Sequence, residues 1–401
     1  MQKPLQDLRI VSIEQFGAGP WATLQLSDLG ADVIKIEEPR TGGDVSRYVP
    51  PYNEGEDSLF FETFNRGKRS ISLDIRAPAG RRVFEDLVPH ADVVFSNLRG
   101  DVPAKLGITY DDLKHLNQQI VCCSLSAFGT TGPRAAEPSY DYILQAMAGW
   151  MQFTGEPGSP PTRSGPSVVD YSTGFVAATS MLAAVHAARR DGVGANCDVS
   201  LFDTAVSLLA YLGTWSLNTD YEAEKMRNSA HPTMVPFQAF EAADGWLVVG
   251  CGKEQFFRRL VGVLGQPQLA DEEGFGSLAE RDVGREQVLA RIEPLFKAQT
   301  VEHWMAELRA AGVPAGPVQG VRQAMDDEQT RARGMVLEYD HPRFGATRTL
   351  SSPVQVGEAV PSSRRAPLRG EHREEILTDL LGYDDETARE VAEAHAFGEQ
   401  P

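Results

Sequence analysis

Five short apolar runs alternate with helix-length segments in the first 125 residues, and that order constrains the fold more than any other feature. The runs lie at 8–13, 31–36, 70–73, 91–95 and 120–125; amphipathic or helix-compatible stretches at 21–29 and 78–87 fall between them. Strand, helix, strand in repetition means crossover connections, so the expectation is a doubly wound α/β domain with a parallel sheet covered on both faces. A small-residue-rich apolar helix is expected over 174–188. It is followed by the turn Gly192-Val193-Gly194-Ala195-Asn196, a strand at 197–201 and a helix at 202–217. Polar residues 218–228 read as a linker. A second unit starts near His231, where the runs 237–240 and 246–249 flank Ala243-Asp244-Gly245 as a hairpin. Strand-like runs at 335–338 and 347–350 and a charged helix complete the chain.

Charge narrows the partners. The formal net charge is -18, which argues against nucleic acid, because a phosphate backbone needs a basic face. Much of the surplus acid sits in the last third, as in Asp271-Glu272-Glu273 and Asp326-Asp327-Glu328, and reads as solvated helix faces. Cys122, Cys123, Cys197 and Cys251 have no zinc-like spacing, so neither a metal nor a redox role is expected of them. Met1-Gln2-Lys3-Pro4 lacks an apolar leader, and no run approaches about 18 apolar residues. The expectation is a soluble, cytoplasmic protein with no membrane contact.

Gly17-Ala18-Gly19-Pro20-Trp21-Ala22 follows a strand and opens a helix, and Glu37 ends the next strand. Alone, this spacing fits a dinucleotide fingerprint, with Glu37 as the ribose-binding acid of a nicotinamide dehydrogenase. Pro20 weakens that reading, since it removes one N–H that a phosphate would use. Arg40, Lys68, Arg69, Arg99 and Lys105 read as basic residues after strand ends, which a parallel sheet gathers on one edge. Such a cluster suits an anion with several phosphates, coenzyme A among them. Ordinary surface ion pairing is the alternative for each residue singly.

The ordered segments Gly30-Ala31-Asp32-Val33-Ile34-Lys35-Ile36-Glu37, Phe64-Asn65-Arg66-Gly67-Lys68-Arg69-Ser70, Leu73-Asp74, Asp92-Val93-Val94 with Asn97, Leu106-Gly107 and Phe128-Gly129-Thr130-Thr131-Gly132-Pro133 resemble the class III CoA transferases. That family also contains α-methylacyl-CoA racemase. The resemblance spans nearly the whole chain. It implies a large domain from both chain ends, 1–217 and 326–401, a linker at 218–225, and an inserted smaller α+β domain at 226–325. It further implies an interlocked homodimer, and acyl-CoA and carboxylic acid as substrates with no permanently bound cofactor and no metal.

Val168-Val169-Asp170-Tyr171-Ser172-Thr173-Gly174 matches the segment that holds the family's active-site aspartate. By spacing alone Asp170 reads as a helix cap, a common role for aspartate. The resemblance makes it the nucleophile that carries an aspartyl-CoA thioester. It also implies that Phe16, Gly17, Arg40, Leu73, Asn97, Leu98, Arg99 and Lys105 contact CoA. Tyr140, Gly250 and Gly252 are implied at the substrate pocket, although Gly250-Cys251-Gly252-Lys253 lacks the glycine run of formyl-CoA transferase. Glu38 stands where that enzyme has arginine, which leaves Arg40 as the substitute. Tyr140 occupies the place of the racemase histidine, and no histidine lies between His115 and His186. A racemase is therefore disfavoured, because proton abstraction needs a base poised near neutral pH. His231-Pro232-Thr233-Met234-Val235-Pro236-Phe237-Gln238 is similar to the succinate–hydroxymethylglutarate (glutarate) branch, which implies a short dicarboxylate with succinyl-CoA as donor.

Overall fold

Apolar strands flanked by helices organise the first unit. In the computed structural model, which describes residues 3–357 and 364–398, β1 (Arg9–Ile13) leads to α1 (Ala18–Asp28) and β2 (Asp32–Glu37). There follow α2 (Leu59–Asn65), β3 (Arg69–Ser72), α3 (Pro78–Leu87), β4 (Val93–Ser96) and β5 (Val121–Ser126). Then come α4 (Asp141–Met147), α5 (Val168–Asp191) and β6 (Ala195–Ser200). All six strands are parallel, in the order β3-β2-β1-β4-β5-β6. The expected doubly wound sheet is thus present, and its strand order reverses direction between β1 and β4. Met1 and Gln2, part of the tetrapeptide read as leaderless, lie outside the described residues.

Strands β1 to β5 are largely buried, whereas the edge strand β6 is exposed at Ala195, Asn196 and Asp198. On one face of the sheet, Val11, Ile34, Ile71, Val94 and Cys122 pack with Val83, Phe84 and Leu87 of α3, and with Val391 and Phe397 from the C-terminal end. Pro78 starts α3, where its missing N–H costs nothing. On the other face α5 packs on α1, β5 and β6. Gly174 permits this contact, since a Cβ there would stand 2.7 Å from the Trp21 ring and 3.0 Å from Ala18 O. By length and composition α5 could cross a membrane; Val169, Ala177, Met181 and Val185 on it are buried within the first unit.

The chain divides into two units: Met1–Ala148, Gly165–Gly213 and Glu328–Pro401 form the first, and Gly149–Ser164 with Thr214–Asp327 the second. The helix expected at 202–217 is broken into α6 (Leu201–Ser207) and α7 (Ala210–Asn218), with Ala210 at φ +50°. In the second unit, β7 (Phe237–Glu241) and β8 (Trp246–Gly250) form the expected hairpin, and β9 (Ala315–Pro317) adds to β8. Phe240 stacks on Phe296 at 4.4 Å within that unit's apolar core. In the first unit again, β10 (Val336–His341) and β11 (Gly345–Leu350) pair antiparallel.

Beneath the carboxyl ends of β1 and β2 lies a buried network of charges. Lys35 Nζ pairs with Asp44 at 2.8 Å and donates to Glu14 O at 2.9 Å. Lys68 Nζ reaches Glu14 at 2.7 Å, Pro20 O and Asn65 Oδ1. Arg47 forks onto Glu37 through two 2.7 Å bonds and onto Asp57 at 2.5 Å. All three cations are fully buried or nearly so. Removing one partner of such a group strands the others without water, at a cost of roughly 3–5 kcal/mol. Arg47→Met is accordingly expected to lose stability of that order in urea unfolding; a loss below about 1 kcal/mol would mean that surface-like screening operates here.

Candidate active site

The loop between β1 and α1 sits at the switch point of the sheet, where open α/β folds present a crevice. It is held from several sides. Gln15 N–H donates to Asn97 Oδ1 at 2.8 Å, and Gln15 O accepts from Asn97 Nδ2 at 2.8 Å. Phe16 N–H donates to Asp44 Oδ1 at 2.9 Å. Phe16 has φ +68°, a strained region for an aromatic residue that persists only where surroundings enforce it. Gly19 is small because a Cβ would come within 2.6 Å of the Asn97 side chain. Asn97, expected at a ligand, thus has its amide engaged in fixing Gln15.

One side of this loop borders an open crevice of about 200 Å³. Its apolar lining includes Ile13, Ile36, Leu73, Ile75, Leu98 and Leu106, so two expected contacts, Leu73 and Leu98, line it. Arg76 lines its rim, and Arg40, Arg99 and Lys105 are chain neighbours of the lining residues Thr41, Leu98 and Leu106. Arg40 pairs with Glu38 at 3.1 Å and Asp74 at 3.3 Å, while Arg76 reaches Glu38 at 2.8 Å. Arg99 pairs with Asp101 at 2.5 Å, and Lys105 shares that carboxylate. All four cations are well exposed. Arg76 follows β3, the strand expected at 70–73, but the sequence reading names nothing in that loop beyond Asp74.

Two members of the expected basic cluster do not join this rim. Lys68 precedes β3 and Arg69 opens it, so neither follows the strand. Arg69 bonds Asp32 at the amino edge of the sheet, with Glu375 at 3.1 Å. Lys68 is turned inward, and burial lowers its pKa to about 8 despite Glu14. Glu37 is equally unavailable to a ribose. Its oxygens accept from Arg47, Ser70 Oγ and Asp44 N–H. Burial would raise its carboxyl, but the Arg47 charge and bonds, with Lys35 and Ser70, hold it at about 2. Gly17 also has an ordinary φ of -114°. The dinucleotide reading is therefore corrected: its acid is spent on structure.

On the other side of the loop lies Asp170. A Cβ on Gly17 would be 3.7 Å from Asp170 Oδ2. Asp170 is the third residue of α5, not its cap; Ser167 holds that position at φ +37°. The capping is done from α4 by Asp141, whose Oδ2 accepts from Val169 N at 2.7 Å and Asp170 N at 3.0 Å. Gln145 Nε2 steadies Oδ1 of Asp141 at 2.7 Å. The Asp170 carboxylate is thereby spared the capping role that spacing assigned to it. Burial raises its pKa to about 7, helped by the nearby Asp141 charge and opposed by a hydrogen bond with Ser167. Trp21, Phe64 and Tyr171 form an aromatic wall beside it, with ring centroids 5.3–6.2 Å apart.

Tyr140 precedes α4, is 69% exposed, and lies 6.3 Å from the Phe16 ring. Gly250 and Gly252 belong to the second unit. Gly250 ends β8, where a Cβ would strike the Phe237 ring at 2.6 Å; packing in that unit accounts for the glycine.

The family model described as CoA-transferase family III matches residues 5–373. A succinyl-CoA:mesaconate CoA-transferase of Haloarcula marismortui is 36% identical over 96% of this chain and 98% of its own length. The human succinyl-CoA:glutarate CoA-transferase is 31% identical over 98% of this chain and 89% of its own. Among solved structures, a CAIB/BAIF family protein from Brucella suis superposes with a TM-score of 0.81 at 35% identity, covering 95% of this chain and all of that one.

The raised carboxyl has a thermodynamic signature. Folding lifts the Asp170 pKa, so the folded state keeps the proton longer than the unfolded chain does. Stability therefore falls as pH climbs from the ordinary aspartate range to about 7. Asp170→Asn removes that loss, and its melting temperature is expected to exceed the parent's at pH 8 by more than at pH 5. An equal gap at both pH values would show a carboxyl titrating in its ordinary range.

Proposed function

The chain belongs to CoA-transferase family III, and from that premise we propose that Asp170 carries the CoA between donor and acceptor acids. Movement of CoA between an acyl-CoA and a carboxylic acid is the activity of the class. The observation that carries the assignment is Asp170 itself: a buried carboxylate at the loop bordering the crevice, relieved of capping by Asp141.

The exchange then runs in balanced steps. Ionised Asp170 attacks the donor thioester carbonyl, giving a mixed anhydride and expelling CoA thiolate. The thiolate attacks the aspartyl carbonyl, so the donor acid leaves and an aspartyl-CoA thioester remains. The acceptor carboxylate reverses both steps and departs as its CoA thioester. Covalent capture splits one hard exchange into easier ones, and the aromatic wall keeps out water that would hydrolyse the anhydride. The N–H groups of Ala18 and Gly19, which have no intrahelical acceptor in the first turn of α1, are suited to stabilising the oxyanion.

CoA fits the crevice by chemistry: the apolar lining takes the adenine and pantetheine, and Arg40, Arg76, Arg99 and Lys105 take the phosphates. Phe16 and Gly17 then carry the thioester past the loop toward Asp170, with Tyr140 at the acyl end. Short dicarboxylates are the acids, with succinyl-CoA as donor, in keeping with the names of the Haloarcula and human relatives. The enzyme works as an interlocked homodimer. Supporting this, the first unit exposes Tyr142, Ile143, Met147, Val176, Val206 and Leu208, an apolar surface that monomers seldom show. Four unpaired cysteines suit a reducing cytoplasm.

Trapping tests the covalent step. After incubation with succinyl-CoA and then hydroxylamine, mass analysis is expected to find a hydroxamate on the peptide containing Asp170. An unmodified peptide during turnover would sink the covalent role. The acylation rate is expected to rise with pH and reach half its plateau near 7, since only the ionised form attacks. Arg76→Ala is expected to raise KM for acyl-CoA about tenfold with kcat little changed, equivalent to ~1.4 kcal/mol; an unchanged KM would remove Arg76 from the phosphate site.

A further inference from the structure

We propose that Cys123 and Cys197 form a reversible disulfide under hydroperoxide, and that this oxidation weakens CoA binding through Asp198. The two cysteines are 74 residues apart, as 197 − 123 gives from the sequence, so no spacing rule finds them. The sheet brings them together: Cys123 of β5 is the in-register partner of Cys197 on β6, the edge strand. In-register side chains of neighbouring strands project from the same face. Strands stand about 4.8 Å apart, within the roughly 4.4–6.8 Å between Cα atoms that a disulfide accepts. Cys122 alternates to the opposite face and joins the core there.

The two sulfurs differ in environment, as a peroxide-reactive pair requires. Cys123 is buried and hydrogen-bonded to Cys197. That bond favours the Cys197 thiolate and holds its pKa below the ordinary thiol value, although burial opposes it. Cys197 is also half-exposed, and its Sγ lies 3.8 Å from Ser180 O. In the first step the Cys197 thiolate attacks one peroxide oxygen, the O–O bond breaks, and a sulfenic acid and hydroxide result. Cys123 sulfur then attacks the sulfenic sulfur; the S–S bond forms as the sulfenic S–O bond breaks, and the departing hydroxyl takes the Cys123 proton and leaves as water. Two thiols are oxidised and one hydroperoxide is reduced.

The pair is wired to the rim of the crevice. Asp198, next to Cys197, accepts from Thr130 N at 2.9 Å and from Thr130 Oγ1 at 2.6 Å. The preceding residue, Gly129, packs on Gly100, where a Cβ would stand 2.1 Å from Gly129 O. Gly100 separates Arg99 from Asp101, the rim ion pair. Drawing Cys197 toward Cys123 moves Asp198 and, through this chain of contacts, the Arg99 corner. The second half of the inference rests on that corner binding CoA.

The full-length protein is treated with hydrogen peroxide, blocked with N-ethylmaleimide, digested without reduction and mass-analysed. The expected product is a cross-linked pair of peptides carrying Cys123 and Cys197, lost on dithiothreitol treatment and absent from Cys197→Ser. Cys122→Ser should still form it. Quantitative alkylation of Cys197 after peroxide, or a bond between Cys122 and Cys123, overturns the proposal. For the coupling, CoA affinity is measured by calorimetry, independent of turnover. A loss of about fivefold on oxidation, restored by dithiothreitol and missing in Cys197→Ser, is expected. A cross-link that leaves CoA affinity unchanged overturns the coupling, whereas failure of the Asp170 trap leaves this binding readout untouched.

Discussion

Everything at the site hangs on a buried cluster of opposite charges, Glu14 with Lys35 and Lys68, and Asp44 with Lys35. Ions out of water are costly unless paired and hydrogen-bonded, so this cluster tolerates few arrangements. That intolerance is useful. Glu14 is the first residue beyond β1, and Asp44 both pairs with Lys35 and accepts the N–H of Phe16. The cluster thereby dictates where the β1–α1 loop lies, including a left-handed aromatic residue that an unconstrained chain would avoid. Asn97 completes the grip on Gln15 from the strand across the switch point.

The two acids Asp141 and Asp170 divide a task that one residue cannot perform. The amino end of α5 favours an anion and needs its N–H groups satisfied. A carboxylate occupied with both would be well solvated by the helix and a poor nucleophile. Asp141 takes the N–H bonds, and its charge also disfavours ionisation of Asp170. The result is a carboxylate whose pKa is raised to about 7, the property on which its proposed role as nucleophile rests.

Much of this was legible in the residues. Alternating apolar runs announced the parallel sheet, and strand positions fell within a few residues of the structure. Asp170, Leu73 and Leu98 were singled out through family-like segments, not through spacing, whereas Arg40 was marked by both. What spacing misread was direction and depth. Lys68 and Arg69 stand at the start of their strand, not its end, and no pattern in one sequence says that Lys68 turns inward to Glu14. Glu37 had the position of a ribose ligand, but its Arg47 partner lies in a loop with no periodicity to announce it. The capping of α5 by Asp141, 29 residues upstream of Asp170, is likewise a tertiary fact.

An acidic protein that binds a polyphosphate meets a physical constraint of its own. Each rim cation starts in the company of an acid: Arg40 and Arg76 with Glu38, Arg99 and Lys105 with Asp101. A phosphate arriving there exchanges one carboxylate partner for another anion, so the net gain per contact is small compared with binding to a bare cation. Long-range attraction is weak as well, because the field of the whole chain is negative. For an exchange enzyme this is consistent with efficiency. In the proposed exchange CoA is bound through donor thioester, aspartyl thioester and acceptor thioester alike, and affinity shared equally by all of them would lower KM without accelerating the chemistry. On that proposal, moderate phosphate contacts orient the thioester, and the burial around Asp170 is what separates ground state from transition state.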